Sequence, residues 1–337
     1  MQRLSNYTSS IKWFAALSRQ VYRAFNINFR ITKEAIMNKI QSRSSSIAKT
    51  SFNIFAMLTL LFSSTVFAQW GKVELTIRDA GKGLYSAVDL KGEYSSGFWI
   101  ADKGVVVFDP TSAAFSEVMY KEIRTLTDKP IKYVIYSHNH WDHISGAAIF
   151  AKHGAQIVAH ADGIEHLMPN KNVAQPTLIW SGNKAILALG DQSIELLYFG
   201  ANHGHGMTVT RIPSLNAVFV SDLVVAKRVG YLTLPDFKPT AWINSLEEIN
   251  KLDFDILLTS HDFGGGSVLG HDSVMEQQKY LKDLIAAVNA SFKEGASMET
   301  LGKHVKTHMQ EYKDWAKFDE WIELNAYRIV MEMGIGY

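Results

Sequence analysis

Three histidines and an aspartate stand within six positions of this 337-residue chain, in the order His-x-His-x-Asp-His. These four residues are His138, His140, Asp142 and His143. Imidazole and carboxylate groups are the ligands that Zn²⁺ takes when it keeps an open coordination position for chemistry. Further along the chain, His203, Asp222 and His261 would complete a site for two metals. The cluster predicts a metal centre in preference to a solvated histidine-rich loop.

Four of these side chains come directly after stretches with the composition of a β-strand. The pairs of strand and ligand are Ile131–Tyr136 with His138, Ile194–Phe199 with His203, Ala217–Val220 with Asp222, and Ile256–Thr259 with His261. Binding residues tend to lie in loops at the carboxyl ends of strands, where a rigid sheet holds them. The sequence therefore predicts that these four strand ends lie at one edge of the fold.

The remaining segments alternate between strand-like and helix-like patterns. Further β-branched runs predict strands at Val73–Ile77, Leu84–Leu90, Gly97–Ala101, Val105–Phe108, Gln156–Ala159, Ala185–Leu189 and Thr208–Ile212. Helical spacing of apolar residues predicts helices at Ala113–Leu126 and Thr240–Lys251, and a helix starting near Ser145. From Asp272 onward the chain reads as helices, with a break at Gly295. This order favours sheets covered by helices in one domain.

The ligand set resembles that of the metallo-β-lactamase superfamily, over roughly residues 84–263. The resemblance implies an α/β fold, a four-layer αβ/βα sandwich with a C-terminal helical extension and with the metals at one edge between the two sheets. It also implies a division of the ligands: His138, His140 and His203 on one metal, Asp142, His143 and His261 on the second, and Asp222 bridging both. The implied cofactor is two Zn²⁺, with iron or manganese as alternatives.

The chain departs from the usual pattern of this family in two places. The third motif, commonly His-Thr, reads His203-Gly204-His205-Gly206, so His205 competes with the preferred His203 for the ligand role. The bridging residue is Asp222 and not the cysteine of the main zinc β-lactamases. Those enzymes place a lysine three residues later, where this chain has Val225, and only Lys227 or Arg228 could substitute for it. These departures favour the glyoxalase II, lactonase and general hydrolase branches.

The predicted activity is that of a binuclear zinc hydrolase acting on an ester, lactone, β-lactam or thioester bond of a small substrate. Two divalent metals can share a water and lower its pKa toward about 7, so a bridging hydroxide would be the nucleophile. Asp142 would hold the second metal and orient this hydroxide. The alternatives are a class B-like β-lactamase, a mononuclear iron oxidoreductase resembling persulfide dioxygenases, and a metal-binding protein without catalysis.

Several residues near the ligands have two interpretations each. The predicted substrate contacts are Tyr94, Asn139, Trp141 and Tyr231, although loop packing is the preferred role for Asn139 and Trp141. Gly92–Gly97, which contains Tyr94, is either a mobile flap or a plain hairpin turn. Asp109-Pro110 either orients a ligand imidazole or forms an ordinary turn. His304 and His308 have zincin spacing without the glutamate of that motif, and they are interpreted as a solvated helix face.

Residues 1–68 are predicted to be a basic leader that contains a secretory signal. They carry nine Lys and Arg residues and a single acid, Glu34. The apolar stretch Phe52–Phe62 precedes Val66-Phe67-Ala68, which predicts cleavage after Ala68, and Met37 is predicted as the true start. An uncleaved anchor is the less favoured alternative, because the stretch is shorter than the about 20 residues of a membrane span.

The predicted mature chain is a periplasmic or secreted protein. It keeps 25 of the 34 basic residues and 32 of the 33 acidic residues, a net charge of −7, which gives no electrostatic case for nucleic acid or for a membrane beyond the export signal. Without cysteine it has no disulfides and no thiol nucleophile. Residues 69–270 are predicted to form the metallo-β-lactamase-fold domain, and residues 271–337 a helical segment packed on it. The expected partner is a small-molecule substrate.

Overall fold

The computed structural model describes residues 73–167 and 170–336. The predicted leader and its cleavage site, residues 1–68, lie outside these described residues. Among the described residues, no helix combines the length and the apolar character that are needed to cross a membrane.

The first sheet contains seven strands in sequence order. They are β1 (Leu75–Gly81), β2 (Leu84–Asp89), β3 (Ser95–Ala101), β4 (Gly104–Phe108), β5 (Ile131–Ile135), β6 (Gln156–His160) and β7 (Leu178–Trp180). Strands β1 to β4 pair antiparallel, whereas β4 to β7 run parallel. Every residue of β4 is buried, as expected of a central strand that is covered on both faces.

The second sheet contains six strands in the order β13-β12-β11-β10-β9-β8. They are β8 (Lys184–Leu189), β9 (Gln192–Tyr198), β10 (Thr208–Ile212), β11 (Ala217–Phe219), β12 (Ile256–Leu258) and β13 (Val268–Leu269). Only β11 and β12 pair in parallel within this sheet.

Eight α-helices are found in the described part of the chain. Four follow strands of the first sheet: α1 (Ala113–Leu126), α2 (Trp141–Ile144), α3 (Ala148–Lys152) and α4 (Ile164–Leu167). Four follow strands of the second sheet: α5 (Pro239–Asn250), which comes between β11 and β12, and α6 (Asp272–Lys293), α7 (Leu301–His308) and α8 (Phe318–Ile335), which come after β13. Helix α1 starts where Ser112 caps it, because the Ser112 side chain accepts a hydrogen bond from the Phe115 backbone N–H.

Three apolar clusters hold the layers together. The two sheets pack face to face, and the rings of Phe108 and Phe219 stack between them at 5.3 Å. Met119 of α1 belongs to the cluster that covers the outer face of the first sheet. Helices α5 to α8 cover the outer face of the second sheet, where Leu246 and Leu257 share one cluster. The layer order is helix, sheet, sheet, helix, so the predicted αβ/βα sandwich with C-terminal helices is confirmed.

Local differences from the predicted elements have identifiable physical causes. The predicted helix Ala113–Leu126 has the predicted bounds. Strand β1 was predicted to end at Ile77 but runs to Gly81. Pairing with β2 extends it, because a turn in which Lys82 and Gly83 have positive φ joins the two strands and sets the register of the hairpin. Strands β7 and β13 are three and two residues long and left no periodic signal in the sequence.

Candidate metal centre

The segments that follow β5, β9, β11 and β12 bring all seven predicted ligands together. One group contains His138, His140, His203 and Asp222, and a second contains Asp142, His143 and His261. Within each group, the potential ligand atoms all lie within 4.8 Å of one another. All of them are buried except His140, which is partly buried, and Asp142, which is exposed at the edge of the cluster.

The Asp222 carboxylate connects the two groups. Its Oδ2 atom lies 3.0 Å from His203 Nε2 and 3.1 Å from His143 Nε2, and its Oδ1 atom lies 3.2 Å from His261 Nε2. His203 belongs to the first group, whereas His143 and His261 belong to the second. Asp222 therefore occupies the place that a bridging ligand would need.

Several of these atoms are buried without a hydrogen-bond partner in the described structure. They are His138 Nε2, both ring nitrogens of His143 and of His203, and Asp222 Oδ1. Leaving a buried polar atom without a partner costs about 1–3 kcal/mol. The neighbouring ligand atoms are close, but their geometry is not that of hydrogen bonds between them. The donor set is one of imidazoles and carboxylates directed at shared points, which fits bound metal ions.

In three of the predicted ligand imidazoles, one ring nitrogen lies within hydrogen-bond distance of a neighbouring oxygen atom. His138 Nδ1 lies 2.7 Å from Ser137 Oγ, and His140 Nε2 lies 2.8 Å from Asp236 Oδ2. The Nδ1 atom of His261 contacts the backbone carbonyl of Glu93. Such a contact fixes the ring orientation and the tautomer, and it leaves the other nitrogen available to bind a metal.

Asp109 forms the hydrogen-bonded centre beneath the ligands. Its Oδ2 atom accepts hydrogen bonds from the hydroxyls of Ser137 and Ser221, both at 2.6 Å, and from that of Ser260 at 3.0 Å. Its Oδ1 atom accepts one from the Ser137 backbone N–H at 2.8 Å. These three serines immediately precede His138, Asp222 and His261. The orienting interpretation of Asp109 therefore fits the structure better than that of an ordinary turn residue.

The charges in the cluster set distinct protonation states for the metal-free protein. Burial lowers the pKa of His203 to about 4 and that of His138 well below its usual value. Burial also opposes the charged form of His143, but Asp222 and then Asp142 outweigh this effect and raise the pKa of His143 to about 10. Burial thus favours the neutral imidazole at His138 and His203, whereas the neighbouring carboxylates favour the protonated form of His143.

Burial would raise the pKa of Asp222, but the neighbouring imidazoles, His143 first, hold that pKa well below its usual range. Burial raises the pKa of Asp109, and the charge of His143 opposes this rise. Asp222 is therefore available as an anionic ligand.

The ligands open into a cavity of about 700 Å³. All four predicted substrate contacts line it: Tyr94, Asn139, Trp141 and Tyr231. Trp141 and Tyr231 are about half exposed, at 51% and 46%. Phe237 also lines the cavity, and its ring lies 3.8 Å from that of His203. Trp321 of α8 reaches the same cavity, so the C-terminal helices contribute part of its wall.

The segment that carries Tyr94 is anchored to the loop of His261. The Phe263 backbone N–H donates to Gly92 O at 2.6 Å, and the Ser95 N–H donates to Ser260 O at 2.7 Å. The Tyr94 ring lies 5.1 Å from the His261 ring. These contacts favour the hairpin-turn interpretation over a mobile flap. Burial, and then the charge of Asp142, raise the pKa of Tyr94 to about 12, so its hydroxyl remains protonated near neutral pH.

His205 lies outside the ligand cluster. Its ring stacks on that of His166 at 3.8 Å, and its backbone N–H donates to Asn139 Oδ1 at 2.7 Å. A Cβ atom added at Gly204 would lie 2.8 Å from this same Oδ1 atom and 3.0 Å from His138 Cδ2. A larger residue at position 204 would therefore crowd the Asn139 carboxamide and the ring of the predicted ligand His138.

The structure distinguishes the residues that could replace the absent lysine. Val225 is buried, and Lys227 forms an ion pair with Glu276. Arg228 is the member of this segment that lines the cavity. Sequence reasoning missed Asp236, which lies in an irregular loop with no motif around it and meets His140 only through the fold.

The interpretation of His304 and His308 as a helix face agrees with their contacts. Both rings lie beside Glu294, with nitrogen-to-oxygen distances of 3.8 Å and 3.0 Å. Their side chains are 38% and 30% exposed, and neither residue belongs to a potential metal-binding group among the described residues.

Comparison with known proteins places this geometry in a family. The family described as the metallo-beta-lactamase superfamily matches residues 91–261, which include all seven predicted ligands. A metallo-beta-lactamase from Pontibacter korlensis has a similar fold, with a TM-score of 0.55 and 17% sequence identity. The similarity covers 62% of this chain and 100% of that one.

Two curated relatives are similar to parts of the chain. The alpha subunit of 2,4-dinitroanisole O-demethylase from Nocardioides sp. (strain JS1661) is 31% identical over 166 residues, 48% of this chain and 50% of that protein. A linear primary-alkylsulfatase from Pseudomonas sp. (strain ATCC 19151) is 24% identical over 238 residues, 56% of this chain and 44% of that protein. The matched region thus spans half or less of the length of each relative.

Proposed function

This chain belongs to the metallo-beta-lactamase superfamily, and on that premise we propose that it is a binuclear metal-dependent hydrolase of small substrates. His138, His140, His203 and Asp222 would hold one metal, and Asp142, His143 and His261, with Asp222 shared, the second. The observation that carries the proposal is the set of buried ligand atoms that have no hydrogen-bond partner within the described structure. Zinc is the proposed metal, because five imidazoles and two carboxylates match its preferred ligands.

The residues of the chain have separate tasks in the proposed reaction. When bound, the metals would supply a water of lowered pKa and polarise the bond under attack. Asp222 would hold the two ligand groups in a fixed position relative to each other, and Asp109 would fix the backbone beneath them. Asp142 lies at the cavity edge, with its Oδ2 atom 3.5 Å from His143 Nε2, where it could orient the attacking water or give a proton to the leaving group.

The proposed substrate class is an oxygen ester, including carboxylic esters, lactones and sulfate esters. The names of the two curated relatives refer to an O-demethylation and to an alkylsulfate. Val225 supplies no cation where zinc β-lactamases have lysine, which makes a specialised β-lactamase the less supported alternative. Substrates with a thioester or a β-lactam bond therefore serve as comparison compounds in the test.

Metal analysis together with a substrate panel tests the proposal. The purified chain, loaded with zinc and desalted, should hold about two metals and should cleave aryl esters, lactones or alkyl sulfates faster than nitrocefin and thioesters. Asp222→Ala should lose both metal and activity, whereas His304→Ala on the exposed helix face should retain both. Fewer than one metal per chain, or iron content with oxygen uptake on a persulfide, would contradict the proposal.

We also propose that the protein acts in the periplasm after cleavage behind Ala68. The support is the order of basic, apolar and small residues in positions 39–68. Mass spectrometry of the protein from the periplasmic fraction should identify Gln69 as the first residue. Recovery of the uncleaved chain in the membrane fraction would instead support the anchor interpretation.

A further inference from the structure

The predicted ligand His261 lies in a glycine-rich loop that joins β12 to β13 (the His261 loop, residues 259–267). After His261 the loop continues with Asp262 and Phe263 and then with three glycines, residues 264–266. The backbone at Gly264 and Gly266 has positive φ, at 85° and 98°. Glycine restricts its own backbone less than any other residue does. Contacts from other parts of the chain must therefore fix the position of this loop.

Arg78 of β1 contacts the loop on both sides of the three glycines. Its Nη1 atom donates to Asp262 Oδ2, with which Arg78 forms an ion pair, and to Ser267 Oγ at 3.0 Å. Ser86 lies opposite Arg78 in the pairing of β1 with β2, and its hydroxyl donates to the same Ser267 Oγ atom at 2.8 Å. Asp262 Oδ1 accepts from the Gly264 N–H at 2.8 Å. Two adjacent strands of the first sheet thus hold a loop of the second sheet.

The carboxylate of Asp262 depends on this guanidinium. The Asp262 side chain is 6% exposed, and among the described residues it forms an ion pair with Arg78 alone. Removing one partner of a buried pair leaves an uncompensated charge, which is strongly unfavourable. Without Arg78 we therefore expect the carboxylate to move toward water. Because Asp262 directly follows His261, this movement would displace the imidazole ring.

Backbone contacts on the two sides of His261 differ in what they attach to. Ser260, the residue before it, accepts a backbone hydrogen bond from the first residue of β3 at 2.7 Å. Phe263, two residues after it, donates to Gly92 O in the connection between β2 and β3, and not to a strand. Residues 262–266 contain a single polar side chain, the carboxylate that pairs with β1. The ion pair is therefore their polar side-chain attachment to a strand.

We propose that Arg78 is a positioning residue for the second metal. Through Asp262 it would place His261 beside Asp142 and His143, and it would thereby determine whether the chain binds one metal or two. This inference rests on the proposed function and deepens it, because it concerns how the second group of ligands is assembled. The first group contains no residue of the His261 loop, so its metal should not depend on Arg78.

Titration with zinc in competition with a chromophoric chelator tests this role, because it gives the affinities of the two sites separately. The wild type should bind two zinc ions. Arg78→Gln should weaken one site tenfold or more and change the other less than threefold, since lost support of a ligand weakens metal binding. His261→Ala, which removes the ligand itself, identifies the affected site. Arg78→Lys keeps a cation beside Asp262 and should restore part of the lost affinity.

Arg211→Gln is the matched control, because Arg211 also belongs to a strand and pairs with an acid, Glu195, away from the cavity. It should leave both zinc affinities unchanged. Denaturant unfolding of metal-free protein measures the stability that each variant loses with its ion pair. A purely structural role of Arg78 would weaken both zinc sites together or neither, whereas a positioning role weakens only the site that His261→Ala also affects.

Asp262→Asn provides a second test if Arg78→Gln does not fold. It removes the charge that Arg78 binds, and its side-chain oxygen can still accept from the Gly264 N–H. It should show the same selective loss of one zinc site.

Two results would overturn the positioning role: unchanged zinc affinities in Arg78→Gln, or an equal loss at both sites. If the wild type binds two zinc ions in either case, the proposed binuclear function stands and only the role of Arg78 is rejected. A wild type that binds fewer than two zinc ions would contradict both. These measurements do not depend on which substrate the chain hydrolyses.

Discussion

At the scale of single residues, hydrogen bonds to Asp109 and Asp236 hold the predicted metal ligands and the residues before them in place. Asp109 binds three serines that each precede a ligand, and its Oδ2 atom lies 3.6 Å from His143 Nδ1. One carboxylate therefore holds the backbone at three separate strand ends. Asp236 has a more local role, since it contacts a single ring, that of His140.

We predict that Asp109→Ala weakens metal binding while the chain still folds. The serine hydroxyls lose their common acceptor, so the ligands that follow them are no longer held in one geometry. Loss of such a supporting contact typically costs about 10–100-fold in metal affinity. Zinc affinity is measured by competition with a chromophoric chelator, with Asp191→Ala in the exposed β8–β9 turn as the control. Unchanged zinc affinity in Asp109→Ala would show that the serines hold the site without it.

A second prediction at this scale concerns the two histidines of the third motif. His203→Ala should lower the zinc content by about one ion per chain, because it removes a buried ring that contacts Asp222. His205→Ala should keep the full content, because His205 stacks on His166 outside the cluster. Atomic absorption on both variants decides the assignment, and a metal loss confined to His205→Ala would reverse it.

At the scale of elements, the C-terminal helices fix a loop of the cavity. Asn325 of α8 donates from Nδ2 to Gly230 O at 2.9 Å and to Leu232 O at 2.6 Å, and its Oδ1 atom accepts from the Tyr280 hydroxyl. That hydroxyl in turn accepts from the Gly230 N–H at 3.0 Å. The loop that carries Tyr231 and its neighbours is thus attached to two helices from a distant part of the chain.

We predict that Asn325→Ala destabilises the fold and raises KM more than it lowers kcat. The substitution leaves the Gly230 and Leu232 carbonyls and the Tyr280 hydroxyl without this partner, and each buried polar group left unpaired costs about 1–3 kcal/mol. Denaturant unfolding and steady-state kinetics measure the two effects. Asn289→Ala is the control, because Asn289 is exposed on α6 and bonds only within its own helix. Equal changes in KM for both variants would argue against a role of the loop in binding.

Sequence reasoning recovered the elements whose signal is local. The ligand motif and the strands before it could be read from residue type and spacing, as could the bounds of α1. Asp236 and Asn325 could not, because each meets the site through contacts that only the fold creates. The role of Asp109 remained open in the sequence for the same reason: its serine partners lie 28, 112 and 151 positions away.

At the scale of the whole molecule, the centre joins the two halves of the sandwich. Strand β5 of the first sheet is followed by four of the predicted ligands: His138, His140, Asp142 and His143. Strands of the second sheet are followed by the other three: His203, Asp222 and His261. Each predicted metal takes ligands from both halves. Metal binding should therefore tie the sheets together, beyond the apolar core that they share.

Removal of metal should for this reason lower the stability of the entire domain. At a zinc concentration of 100 times the dissociation constant, binding to the folded state alone adds about 2.7 kcal/mol. For a domain of roughly this size, that corresponds to a fall in Tm of about 5–10 °C upon chelation. Scanning calorimetry with and without chelator measures the shift, and returning zinc should restore it. His203→Ala, which removes a ligand that comes from the second half, should show a smaller shift. A Tm that is independent of zinc in the wild type would mean that the seven side chains hold no metal in the folded state.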